Sequence, residues 1–205
     1  MARKSQAPRK REQIAWALFD CLAENGHENI SIKRIAARAG MPHGVIHYYF
    51  EKKDDIVNAL VEALTALYQE KFQNFLESGE EGSSNNLEKM LHYLVEAFVF
   101  DKRLNRVFYN LVQMGFERRD VSAPLRRLLD AYRGNIREML VQAGAGEQSG
   151  PLSMMVVAVI EGLALQWMID PDAFDRKEVW DTAGRVREAI KSSLPAGPED
   201  NQAVT

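Results

Sequence analysis

Residues 31–53 read SIKRIAARAGMPHGVIHYYFEKK, and this stretch decides the fold. Ser31 stands where a helix N-cap belongs, ahead of Ile32, Ile35, Ala36 and Ala39 at helical spacing. Gly40 stops that helix, because glycine enters a left-handed turn at no steric cost. Pro42 suits the first turn of a second short helix, with Ile46, Tyr49 and Phe50 on its inner side. Two short helices joined by a tight glycine turn, with Ala36 as the small residue where they cross, make a helix-turn-helix.

The phase of the second helix decides what faces outward. His43 and His47 are four apart, as are Gly44 and Tyr48. Such a face suits a DNA major groove. Imidazole donates to or accepts from base edges, glycine lets the backbone approach closely, and tyrosine reaches a phosphate. His43 and His47 also have the i, i+4 spacing of zinc-binding helices, and Glu51 continues that face. The other histidines are His27 and His92, and Cys21 sits on a buried stripe, so no ligand set is completed and no metal is expected. Histidine titrates near neutral pH, so protonation of His43 and His47 would tighten DNA binding at lower pH.

On the N-terminal side, Ile14, Ala17, Leu18, Cys21 and Leu22 form a helical stripe that ends at Asn25-Gly26. On the other side a longer helix follows Lys53, with Ile56, Leu60, Leu64, Leu67 and Phe72 inward. A loop is expected over 79–86 (GEEGSSNN), then helices over 87–100, 104–116 and 125–140. The last of these places Pro124 in its first turn, with Ser122 as a possible cap. A second loop over 144–150 precedes helices over 152–169 and 179–190. No stretch alternates over strand length, so the fold class is all-α. The expected layout is an N-terminal three-helix bundle with a helix-turn-helix, then a larger helical domain. The boundaries fall at 1–52, 53–194 and a polar tail over 195–205 that is expected to be disordered.

The charge pattern agrees with a polyanion partner. The 205 residues carry a net charge of −3. Residues 1–53 hold ten basic and five acidic side chains, a net +5, which leaves −8 on the remainder. A basic arm of Arg3, Lys4, Arg9, Lys10 and Arg11 leads the chain. A solvated basic tail has the same composition; the groove face beside it favours nucleic acid.

The single cysteine excludes an internal disulfide and fits a cytoplasmic protein. The apolar run over 14–22 is broken by Asp20, so no secretory signal is read. The run over 152–169 carries Ser153, Glu161 and Gln166, which suits burial by protein rather than a membrane. No nucleophile elbow, phosphate loop, dinucleotide fingerprint or metal constellation points to an enzyme, and no cofactor is expected. A helical interaction protein that does not bind DNA is the remaining rival. The basic arm together with the groove face argues against it.

Residues 10–60 resemble the DNA-binding region of the tetracycline-repressor (TetR) family. The resemblance rests on Ile14, Ala17, Leu18, Phe19, Gly26, Ser31, Ile35-Ala36, Ala39-Gly40, Gly44, Tyr49-Phe50 and Lys53. It implies a homodimeric regulator, usually a repressor, released from a palindromic double-stranded operator by a small molecule. It implies a DNA-binding set of Ser31, Lys33, Pro42, His43, Gly44, His47, Tyr48, Tyr49 and Lys53. Many members carry Ser or Thr where this chain has Pro42, and Tyr where it has His47. The operator sequence therefore does not transfer.

Residues 159–175, VIEGLALQWMIDPDAFD, resemble the C-terminal domain of the choline-responsive BetI type. That resemblance implies a four-helix dimer interface built from the last two helices of each of two chains. The helix over 152–169 fits, being apolar nearly all round. An effector pocket would lie among the middle helices, with Tyr93, Phe108, Tyr109, Phe116, Tyr132, Glu161 and Trp167 as candidate ligand contacts. Tyr68, Phe98 and Met114 are further candidates. Aromatic and methionine side chains at helical spacing are more often plain core. Glu161 reads either as a paired structural acid or as the acceptor of a cationic group beside Trp167.

Overall fold

Helical periodicity without strand alternation predicts helices alone, and the described residues contain helices and turns but no strand. The computed structural model describes residues 2–77 and 86–193, excepting the side chains of 2–5, 76 and 86. The loop expected over 79–86 lies outside the described residues except for Asn86, as do the tail from 195 and the side chains of Arg3 and Lys4.

By internal contacts the chain divides into two compact units, one of residues 1–76 with 102–132 and the other of 77–101 with 133–205. The first unit opens with α1 (Ala2–Asn25). The basic arm is helical, and Pro8 stands inside its first turns. The chain turns at Gly26, whose φ of 70° is left-handed. Then come α2 (Ile32–Arg38), α3 (His43–Tyr49) and α4 (Lys53–Glu77). The unit also holds α6 (Lys102–Glu117) and the first part of α7 (Arg119–Gln142). One apolar cluster joins these elements through Ile14, Leu18, Leu22, Ile35, Ile46, Leu60 and Leu111. Each is at most 1% exposed, so each contributes about 1.5–3 kcal/mol of burial.

The second unit contains α5 (Asn86–Leu94), which continues as a π-helical turn over Val95–Val99. It also contains the end of α7, a short 3-10 turn (Gly146–Gln148), α8 (Ser149–Ile169) and α9 (Arg176–Ser193). Leu94, Val95, Val99, Val156, Ile160, Val179 and Ile190 are buried here.

Two helix details differ from expectation. α7 begins at Arg119, so Pro124 is inside it, and Ser122 donates back to the Arg119 carbonyl at 2.9 Å. Its backbone N–H joins the Arg118 carbonyl at 3.1 Å, so Ser122 is already within the helix and caps nothing. Pro42 is the N-cap of α3, one place before its first turn, and its carbonyl accepts the Val45 N–H at 2.9 Å.

Candidate nucleic-acid interface

The helix-turn-helix is built by a few local rules. Ser31 Oγ accepts the Arg34 N–H at 3.2 Å and so satisfies one free donor of α2. Gly40 has φ 65°, and the Met41 N–H returns to the Ala36 carbonyl at 2.9 Å to close the turn. α3 is pinned by Ile46, which is fully buried, and by Phe50 just past its end. Pinning one side exposes the other. His43, Gly44, Val45, His47 and Tyr48 all face outward, and Tyr48 is 82% exposed. Sequence reasoning passed over Val45, whose apolar side chain is exposed on this face.

The aromatic groups are ordered among themselves. The His43 and His47 rings lie 5.1 Å apart, edge to face. Tyr48 and Tyr49 lie 5.0 Å apart, also edge to face. Tyr49 is only partly exposed and packs against the core cluster. An added Cβ at Gly44 would meet nothing within 4 Å, so the backbone there is open to close approach. Among the described residues no group of three or more His, Cys, Asp or Glu is placed to hold a metal ion.

The basic residues around α3 divide into two kinds. Arg38 bridges Asp20, at 3.1 Å, and Glu24. Arg34 donates to the Asn29 carbonyl at 2.9 Å, and Arg11 to the Tyr49 carbonyl. Lys53 Nζ donates to the Ile30 carbonyl at 3.4 Å, which directs it toward the turn before α2. By contrast, the side chains of Arg9, Lys33 and Lys52 make no hydrogen bond or ion pair among the described residues, and all three are exposed. Lys52 was not among the sequence candidates, though its place beside Lys53 was the available signal.

The candidate ligand contacts fall in different places. Tyr68, Phe108, Tyr109, Phe116 and Tyr132 belong to the first unit, and Tyr93, Phe98, Glu161 and Trp167 to the second. Tyr68 and Phe108 pack against the apolar cluster, and Met114 is a member of it. Phe116 is 86% exposed and lines no interior space. It is nine residues from buried Val107, which puts it about 180° round α6. In the second unit Trp167 packs against Phe100 at 5.0 Å and Phe174 at 5.8 Å. Trp180 stacks on His92 at 4.6 Å. Arg176 lies 3.7 Å above the Phe100 ring and pairs with Glu96 at 2.7 Å. Neither Phe100 nor Arg176 was among the sequence candidates. Burial raises the Tyr93 hydroxyl above its ordinary range. Leu91, Val156, Ile160 and Ala183 border a narrow apolar crevice between α5, α8 and α9 that has no room for a water-sized guest.

Known sequences match both halves of this arrangement. Residues 17–60 match the pattern of "Bacterial regulatory proteins, tetR family". Residues 84–195 match that of "BetI-type transcriptional repressor, C-terminal". The chain belongs to the TetR family. It is a DNA-binding transcriptional regulator and not an enzyme. The HTH-type transcriptional regulator TtgR of Pseudomonas putida is 23% identical over 182 residues, 84% of this chain and 86% of that one. The regulator FadR of Bacillus subtilis, solved in complex with stearoyl-CoA, superposes with a TM-score of 0.70 at 20% identity, covering 90% of this chain and 99% of that chain. A regulator from Saccharomonospora viridis, solved in complex with choline, gives a TM-score of 0.70 at 16% identity, covering 90% of this chain and 95% of that chain. These likenesses show the TetR all-α fold.

Proposed function

We propose that this TetR-family chain is a homodimeric repressor that leaves a palindromic operator when a small molecule binds it. One observation carries the DNA half of this reading. On a helix of seven residues the inner side is buried by Ile46, while His43, Gly44, His47 and Tyr48 are all presented outward. In this reading His43 and His47 meet base edges, Gly44 admits the backbone, and Tyr48 reaches a phosphate. Ser31, Lys33, Pro42, Tyr49 and Lys53 flank that face, and Arg9 and Lys52 join them as free cations. Residues 1–52 form the DNA-binding domain and 53–194 the effector and dimerisation domain, in a cytoplasmic protein.

The dimer half is supported by α8. Met154, Ala158, Leu165 and Ile169 are exposed along one side of it, with Ile169 at 72%. A second copy would cover this stripe, in the isologous manner of a two-fold dimer. The stretch from Gly146 to Ile169 is also long and apolar enough to cross a bilayer. Glu161 and Gln166 within it favour cover by protein. Two recognition helices related by a two-fold axis would read half-sites about one DNA turn, roughly 34 Å, apart or more. The small-molecule half is supported by the ligands in the B. subtilis and S. viridis structures. Tyr93, Glu161 and Trp167 are the proposed contacts, all within the second unit.

The test is a salt titration of binding to duplexes selected from a random-sequence library, beside a His43→Ala/His47→Ala variant. The reading expects one preferred palindrome, an affinity that falls steeply with salt, and a variant that keeps its helicity but loses site preference. Weak, site-indifferent binding by the wild type would overturn it and favour an interaction protein.

A further inference from the structure

The basic residues of α1 look like a row of phosphate contacts, but Arg11 is used differently. Its guanidinium donates to the carbonyl of Tyr49, the last residue of α3. The same guanidinium lies 4.1 Å above the ring of Phe50, the residue that caps that helix. Two residues along α1, Gln13 Nε2 donates to the carbonyl of Ala39 at 2.8 Å, at the end of α2. The two side chains therefore hold the two sides of the unit that carries the groove face. Gln13 fixes where the turn begins, and Arg11 fixes where α3 ends.

α3 has few other anchors. It has seven residues, and Ile46 is the only fully buried one among them. Ile46, Phe50 and the partly buried Tyr49 fix where such a short helix sits, and the Arg11 contacts to its last residue and its cap bear on its tilt. Its final carbonyls lack intrahelical donors, apart from that of Ile46, which accepts the Phe50 N–H at 2.9 Å. A cation at that end satisfies one carbonyl and complements the negative end of the helix dipole. Planar guanidinium can donate to a carbonyl and stack on a ring at once; a lysine ammonium cannot do both.

We infer that Arg11 is a positioning residue for sequence readout: it sets the tilt of α3 in the groove through Tyr49 and Phe50, and does not itself neutralise a phosphate. The two roles make opposite predictions for salt. A phosphate contact contributes about 0.9 to the slope of log affinity against log salt, on every sequence alike. A positioning residue leaves that slope unchanged and acts only where bases are read.

The experiment compares wild type with Arg11→Ala, Arg11→Lys and, as a charge control, Arg9→Ala. Each is titrated with salt on the duplex that the wild type selects from a random library and on a scrambled duplex of equal length. Arg11→Ala should bind the selected duplex about tenfold more weakly or worse, the size of a lost base-pair reading. Its affinity for the scrambled duplex and both salt slopes should stay at the wild-type values. Arg11→Lys should behave like Arg11→Ala. Arg9→Ala should instead weaken both duplexes alike and flatten both slopes. Rescue by lysine, or a flatter slope for Arg11→Ala, would make Arg11 a phosphate contact and overturn the inference. A second readout needs no DNA. Amide hydrogen exchange over Ile46 to Phe50 should speed several-fold in Arg11→Ala and Arg11→Lys, with α1 and α4 unchanged. Unchanged exchange in α3 would overturn the inference even if the wild type selected no duplex, an outcome that would count separately against the operator reading.

Discussion

Asn110 Oδ1 on α6 accepts the backbone N–H of His27 at 2.8 Å and lies 3.1 Å from Nδ1 of the same residue. The Asn110 amide nitrogen donates to the Arg106 carbonyl at 2.6 Å, which fixes the side chain on its own helix. One side chain thus ties the turn that precedes the helix-turn-helix to α6. Around it, Arg103 pairs with Asp20 and lies 5.4 Å above Phe19, and Arg118 pairs with Asp54. Asn110→Ala leaves a partly buried N–H without its acceptor. It should cost about 1–2 kcal/mol of unfolding free energy by urea denaturation. Asn110→Asp keeps that acceptor but loses the donor to the Arg106 carbonyl, so it should recover only part of that loss.

Gly40 and Gly44 sit four residues apart and should respond in opposite directions to alanine. Gly40 has φ 65° with nothing near its missing Cβ, so Gly40→Ala meets backbone strain alone, about 1–2 kcal/mol of stability. Gly44 is helical and equally open, so Gly44→Ala should raise stability by up to about 1 kcal/mol. The same methyl stands on the face proposed to enter the groove, so affinity for a selected duplex should fall. Thermal melting and DNA titration of the two variants check both directions together.

Leu165 is 40% exposed on the apolar side of α8, between Met154 and Ile169. Leu165→Glu would place a charge in the proposed dimer seam, where burial without a partner is costly. Sedimentation should show the wild type as a dimer and the variant shifted toward monomer, with helicity retained. A wild type that sediments as a monomer would remove the dimer proposal.

Burial pushes the Cys21 thiol above its ordinary range, against the pull of Arg38 and Arg34, and burial likewise raises Tyr93. An acid whose folded value is raised keeps its proton longer in the folded state than in the unfolded chain. Stability is then fully present below the unfolded values and is lost as pH rises through the folded ones. Unfolding free energy should be level near pH 7 and decline above about pH 8.5–10, where free thiols and phenols ionise. Denaturation of Cys21→Ala should show a lower free energy near neutral pH, from lost packing, and a shallower alkaline decline. Equal declines would leave the thiol out of the effect.

The helix-turn-helix was legible because its determinants are local. Ser31 caps within three residues, Gly40 turns within two, and the phase of Ile46 decides its four neighbours. The C-terminal match was legible as a family resemblance over residues 159–175, around Glu161-Gly162-Leu163. Arg11 was read only as part of a basic arm, because its partners lie 38 and 39 residues away and no spacing rule reaches them. Phe116 was read as a pocket residue because aromatics are usually inside, whereas its place on α6 is opposite Val107. The start of α7 was misplaced because proline usually marks a first turn. Asp120 in the true first turn, paired with Arg118 at 3.8 Å, was the competing signal.

The π-helical turn over Val95–Val99 has a consequence for how this chain can vary. Phe100 donates its N–H to the Val95 carbonyl at 3.3 Å, a span of five residues in place of four. The segment therefore carries one residue more than an α-helix of the same rise. Removing one residue there would restore ordinary winding with nearly the same rise and phase, because five residues of π-helix turn the chain about as far as four of α-helix. Phe100 could then keep Trp167 and Arg176 while α5 keeps the face that holds Leu91 and Leu94. The turn acts as a spare link in the chain: a single deletion at this point should be absorbed, whereas the same deletion within α8 would rotate one part of that helix against the other by about 100°.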